Sequence, residues 1–165
     1  MATITLQGNN IHTSGNLPEV GSKAPGFLLV DAGLVNKHLS DYAGQKKLLN
    51  IVPSLDTDVC ATSTRKFNQE AAGRDNVVVL VVSADLPFAQ SRFCSAEGID
   101  EVIPLSMMRS RNFAEDYGVL IEDGPLAGIT ARAVVVIDEN DQVVYTELVP
   151  EITQEPDYAS ALAAL

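Results

Sequence analysis

KLLNIVPSLDTDVC, residues Lys47 to Cys60, joins an apolar run to a polar loop that ends on a cysteine. Lys47–Val52 is mostly apolar, the pattern of a strand buried on both faces. Beyond the loop, the less polar positions Cys60, Thr64, Phe67 and Ala71 fall at helical spacing. Cys60 to Ala72 therefore reads as a helix, with Gly73 placed to end it. A strand that feeds directly into a helix is the unit of a layered α/β fold. This junction also puts a thiol at a helix start.

The same alternation continues downstream. Asn76–Asp85, NVVVLVVSAD, is the clearest strand of the chain. Leu86–Gly98 reads as a helix, with Asp85 or Leu86 at its cap, Pro87 in its first turn and Gly98 at its stop. Glu101–Ser106 is a short strand, and Ser110–Gly118 a short helix capped by Ser110. Leu120–Thr130 is a loop. Arg132–Asp138 and Gln142–Val149 flank a turn at Glu139–Asp141 and read as a hairpin, and Glu155–Leu165 closes the chain as a helix. Upstream, Phe27–Asp31 is a strand candidate, and Leu17–Gly26 a Pro- and Gly-rich connection. Thr3–Gln7 and Ile11–Gly15, separated by Gly8–Asn10, read as a small hairpin. A βαβ unit followed by ββα predicts a thioredoxin-like α/β fold, with a mixed central sheet, flanking helices and an extra N-terminal β-hairpin. A flavodoxin-like sheet is the competitor, but it lacks the hairpin near the end.

At 165 residues the expectation is one domain spanning 1–165. The formal net charge of −11 repels phosphate backbones and anionic membranes, and no basic patch offsets it, so no nucleic-acid partner is expected. The longest strongly apolar run, Val77–Val82, falls far short of the ~20 residues of a membrane span. The first residues show neither a basic n-region nor a long apolar segment, so a soluble, cytoplasmic protein is expected. Phosphate-binding glycine loops are absent. The two cysteines and two histidines lack the close spacing of a zinc site.

Two readings of Cys60 stay open on position alone. It is either a buried apolar residue that begins a helix, or a thiol whose anion is favoured by the free N–H groups of a helix start. Thr57, three residues earlier, can cap the helix or meet the sulfur or a substrate oxygen. Pro53 can wall a pocket without offering a donor. Asp56 and Asp58 would disfavour a thiolate if they faced it, so one is expected to cap and the other to point to solvent.

NIVPSLDTDVC resembles the active-site segment of the peroxiredoxins, the cysteine-dependent peroxidases, in its proline, threonine and cysteine: Pro53, Thr57 and Cys60. Three further stretches, VVSADLPFAQSRFCSAEG, DGPLAGITARAVVVIDENDQVVY and EITQEPDYASAL, are similar to the bacterial thiol peroxidases, the atypical two-cysteine subfamily. The likeness runs nearly the length of the chain. It implies Cys60 as peroxidatic cysteine, Cys94 as resolving cysteine, Thr57 and Pro53 as pocket residues, and Arg132 as the arginine that holds sulfur and peroxide oxygens. Asp58 departs from the small residue the subfamily often has there. The resemblance further implies reduction of hydrogen peroxide and alkyl hydroperoxides without a metal, haem or flavin cofactor. It implies a Cys60–Cys94 disulfide recycled by thioredoxin, and a homodimer. Cys60 begins one helix and Cys94 lies late in the next, so forming that bond requires local unwinding. The rivals are a disulfide-exchange module, which normally carries C-x-x-C where this chain has Cys-Ala-Thr-Ser, and a binding domain with inert thiols.

Overall fold

The computed structural model describes residues 1–165. The first half of the chain forms β1 (Thr3–Leu6), β2 (Asn9–His12), β3 (Leu28–Val30), β4 (Asn36–His38), β5 (Lys46–Ile51), α1 (Asp58–Glu70) and β6 (Val77–Ser83). The second half forms α2 (Pro87–Glu97), β7 (Ile103–Ser106), α3 (Asn112–Asp116), β8 (Ala133–Ile137), β9 (Val143–Leu148) and α4 (Tyr158–Ala163). Seven strands make one mixed sheet in the order β4-β3-β7-β6-β5-β8-β9, while β1 and β2 pair separately. β5, β6 and β7 run parallel through their helical crossovers. β8 lies antiparallel to β5, and β9 antiparallel to β8. This is the thioredoxin-like arrangement, with the expected N-terminal hairpin added.

The central strands are buried on both faces, as their near-continuous apolar sequences require. Along β6, Val78, Leu80 and Val82 enter one core and Val79 and Val81 the other. The first core is closed by Phe113 and Ala114 of α3, by Tyr117 at its C-cap, and by Ile4 and Ile11 of the N-terminal hairpin. The second is closed by Phe67 of α1, Ala71 at its C-cap and Ala161 of α4, with Phe93 and Cys94 of α2 packed against it. Cys60, Thr64, Phe67 and Ala71 are all fully buried, so the helical spacing identified the inner face of α1 correctly. Lys47 is also fully buried; it pairs with Asp141 and donates to the Asp138 carbonyl, a pairing that a buried ammonium requires.

Several boundaries differ from expectation. Helix α1 begins at Asp58, two residues early, because Thr57 is extended (φ −132°, ψ 150°) and its carbonyl already accepts from Ala61 N–H at 2.9 Å. Leu86 is the N-cap of α2, Pro87 is its first residue, and Gly98 stops it in the left-handed region (φ 65°). Arg111, not Ser110, occupies the N-cap of α3, though Ser110 Oγ still accepts from Asn112 N–H. Helix α4 starts only at Tyr158, since Asp157 caps it by accepting from Ser160 N–H at 3.1 Å. The N-terminal hairpin turns at Gln7–Gly8, both with positive φ, so Asn9 and Asn10 belong to β2 rather than to the turn. Edge strand β4, short and polar, carries no apolar alternation and was not anticipated.

Candidate active site

Strand β5 delivers the chain to Val52 and Pro53, and the loop Ser54–Thr57 turns it into α1. One carboxylate braces that loop. Asp85, just after β6, accepts from Ser54 Oγ (2.8 Å), from Leu55 N–H (2.8 Å) and from Ser83 Oγ (2.7 Å). β5 and β6 are parallel neighbours, so the ends of both strands meet here and the brace is short. Sequence reasoning had placed Asp85 only near the cap of α2; an acid directly after an apolar strand was the available signal.

Cys60 is the third residue of α1 and has no solvent exposure. In the first turn, Ala61 supplies the first backbone N–H that reaches a helical carbonyl, so the N–H groups of Val59 and Cys60 precede the ladder. Arg132, immediately before β8, is 2% exposed and its Nη1 donates to Cys60 Sγ at 3.1 Å. Its Nε donates to the Ile152 carbonyl at 2.9 Å. No carboxylate forms an ion pair with it; the pairs in the molecule are made by other residues. A buried guanidinium without a counter-charge is costly by several kcal/mol. The acidic group within hydrogen-bonding distance of this one is the Cys60 sulfur, whose anion would balance the charge.

A cavity of about 410 Å³ opens beside Arg132, while the fully buried Cys60 does not itself line it. Pro53, Thr57 and Arg132 line it, and Leu6, Leu126, Ile129 and Ile152 contribute apolar wall. Thr57 makes no side-chain cap and no bond to the sulfur. Its Oγ1 donates to the Ser54 carbonyl at 2.9 Å, which leaves its lone pairs free to accept. The expectation that one aspartate caps while the other faces solvent is corrected: both Asp56 and Asp58 are exposed, neither carboxylate accepts a side-chain or backbone bond, and Asp58 sits at the cavity margin. The acid that braces the loop is Asp85, through Ser54 Oγ and Leu55 N–H.

Four of the five anticipated residues thus converge: Cys60, Arg132, Thr57 and Pro53. Cys94 stands apart. It is half-buried on α2, against the same core as Cys60, and both cysteines are free thiols. Burial pushes the Cys94 thiol pKa upward. No group of three or more His, Cys, Asp or Glu side chains is disposed to hold a metal ion.

Residues 19–162 match the family model described as Redoxin. The chain is 54% identical over 165 residues to a thiol peroxidase of Corynebacterium glutamicum, covering 100% of this chain and 99% of that one. It is 57% identical over 167 residues to a thiol peroxidase of Mycobacterium bovis, with the same coverage. Among solved structures, a peroxiredoxin-like protein from Aquifex aeolicus superimposes with a TM-score of 0.93 at 45% identity, covering 99% of this chain and 95% of that one.

Proposed function

The chain belongs to the Redoxin family and, within it, to the peroxiredoxin-type thiol peroxidases, and from that premise we propose that residues 1–165 act as one thioredoxin-like domain with Cys60 as the attacking thiolate. The observation that carries this reading is the 3.1 Å contact between the buried Arg132 guanidinium, through Nη1, and the buried Cys60 Sγ.

The thiolate attacks the terminal oxygen of a hydroperoxide, and the O–O bond breaks. Cys60 becomes a sulfenic acid, and the departing alkoxide takes a proton to leave as alcohol, or as water from hydrogen peroxide. Charge moves from sulfur to the leaving oxygen, so donors fixed around that path stabilise the transition state more than the ground state. Arg132 supplies one, and the free N–H groups of the first helical turn supply others. Thr57 has its own proton committed to Ser54, so it accepts the peroxide O–H and orients it. Pro53 closes the wall without competing for a proton. The apolar cavity lining favours alkyl hydroperoxides alongside hydrogen peroxide.

Cys94 then condenses with the sulfenic acid, releasing water and forming a Cys60–Cys94 disulfide. A dithiol of the thioredoxin type reduces it, taking the disulfide itself. Disulfide geometry needs Cα atoms within about 7 Å, so the end of α2, the first turn of α1, or both unwind. Exposed Leu86, Phe88 and Met108 offer apolar side chains suited to homodimerisation in the cytoplasm. Sedimentation that finds only monomer at all concentrations rules the dimer out.

The test of the chemistry is one equivalent of cumene hydroperoxide added to reduced protein, with intact mass and free thiols followed. Both thiols should disappear together in the wild type. Cys60→Ser should abolish oxidation, and Cys94→Ser should trap an oxidised Cys60. Arg132→Ala should slow the first step by roughly 100- to 1000-fold, the scale of a lost transition-state donor. Oxidation that survives Cys60→Ser would refute the assignment.

A further inference from the structure

We propose that Glu151 is a positioning residue for peroxide reduction: it locks residues 150–153 to the N-terminal hairpin so that the Ile152 carbonyl holds Arg132 on Cys60. The proposal rests on the role assigned above to Arg132. Glu151 has four donors on one carboxylate. Oε1 accepts from Gly8 N–H (2.9 Å) and Thr5 Oγ1 (3.0 Å), both on the hairpin. Oε2 accepts from Thr153 N–H and Thr153 Oγ1, both at 2.8 Å. The backbones are stitched in the same place: Thr5 N–H donates to the Pro150 carbonyl (2.8 Å) and Ile152 N–H to the Thr5 carbonyl (2.9 Å).

Ile152 lies between the two halves of this clamp, and its carbonyl takes the Arg132 Nε proton at 2.9 Å. A guanidinium is planar and its donors are fixed relative to one another. Holding Nε therefore sets the plane and the direction of Nη1, which meets the sulfur. Arg132 has no carboxylate partner that would hold it if Ile152 shifted. The hairpin, Thr3–His12, lies outside residues 19–162 matched by the Redoxin model, yet it is two hydrogen bonds from the guanidinium. It also supplies Leu6 to the cavity wall.

The experiment uses the full chain. Glu151→Gln keeps the shape but replaces one acceptor oxygen with a donor; Thr5→Val removes one hydroxyl. Single-turnover oxidation of Cys60 by cumene hydroperoxide is measured for each, for Arg132→Lys, and for Glu151→Gln combined with Arg132→Lys. Thiolate ultraviolet absorbance against pH is recorded in a Cys94→Ser background. Glu151→Gln should slow oxidation about 10- to 100-fold, the effect of a small misplacement, and displace the thiolate profile in the direction that Arg132→Lys displaces it. The double variant should be little slower than Arg132→Lys alone, because both act through one group. If Glu151→Gln does not fold, Thr5→Val carries the same comparison with a smaller expected loss. Unchanged rate and thiolate profile in a folded Glu151 variant, with Arg132→Lys slow, would overturn the proposal, as would fully additive losses. A rate that is also untouched by Arg132→Lys overturns the role of Arg132 itself, and this proposal with it.

Discussion

Asp85 does for the loop what neither Asp56 nor Asp58 does. Its two oxygens collect Ser54 Oγ, Ser83 Oγ and the N–H of Leu55, a residue only 2% exposed. Asp85→Ala leaves that buried N–H without an acceptor, so a loss of about 1–3 kcal/mol in folding stability is expected, readable by urea unfolding. The same change frees the loop that carries Thr57, and oxidation of Cys60 should slow as well. Asp85→Asn keeps one acceptor oxygen and should lose less of both. A stable, fully active Asp85→Ala would show that the loop needs no brace. Such a role is invisible in the sequence, where Asp85 is one acid among 22 Asp and Glu. The donors that single it out are up to 31 positions away, at Ser54.

At the level of the element, the proposed disulfide step asks two things of helix α2. It packs Cys94 against the core in this structure, and under that proposal it would release the thiol once Cys60 is oxidised. Arg65 Nη1 on α1 pairs with Glu97 Oε2 on α2 at 2.7 Å, and Asn68 Oδ1 accepts from the N–H groups of Glu101 and Val102. Both ties are near the surface, where such pairs contribute little and are easily exchanged for water. The raised pKa of Cys94 adds a pH dependence. Its packed state holds the proton more tightly than its unwound state, so packing is fully favoured below the ordinary thiol range of about 8.5. That preference is lost as pH rises through the higher packed value. Disulfide formation after oxidation of Cys60 should therefore accelerate with pH beyond the ordinary thiol range. Stopped-flow mixing of pre-oxidised protein across pH checks this, and a rate that levels off at or below that range would contradict it.

On the scale of the whole molecule, the N-terminal hairpin buttresses both loops that flank the cavity. On one side, Glu151 joins it to residues 150–153. On the other, Asp123 accepts from His12 N–H at 2.7 Å and pairs with His12 Nδ1 at 2.6 Å. A Cβ at Gly124, where φ is +73°, would lie 2.7 Å from the Ile11 side chain, so hairpin and loop are packed closely. Backbone hydrogen bonds from Thr153 and Gly8 hold the Glu151 pKa down at about 2. The His12 hydrogen bonds likewise lower that of Asp123. A depressed carboxylate stabilises the fold above its unfolded value, near 4 for these groups, and that contribution is lost as pH falls through the folded value. Acidification through this window should loosen the hairpin before the sheet. Amide hydrogen exchange of β1 and β2 should rise ahead of β5, β6 and β8, and Glu151→Gln should flatten the dependence. Simultaneous loss of protection everywhere would refute it.

The sequence by itself determined the layered fold, the two-sided burial of the central strands and the strand-to-helix junction that carries Cys60. Each of these is a local pattern: apolar runs, helical spacing at Cys60, Thr64, Phe67 and Ala71, and glycine at helix ends. Resemblance carried Arg132 and Cys94, which spacing could not reach. Tertiary structure alone decided which acid braces the loop, that Thr57 donates to Ser54 rather than capping, that Lys47 is buried on Asp141, and that the guanidinium hangs from the Ile152 carbonyl. The physical reason is that a hydrogen bond or an ion pair is set by position in space. Between Thr5 and Glu151 that position is fixed across 146 residues of chain, and no periodicity records it.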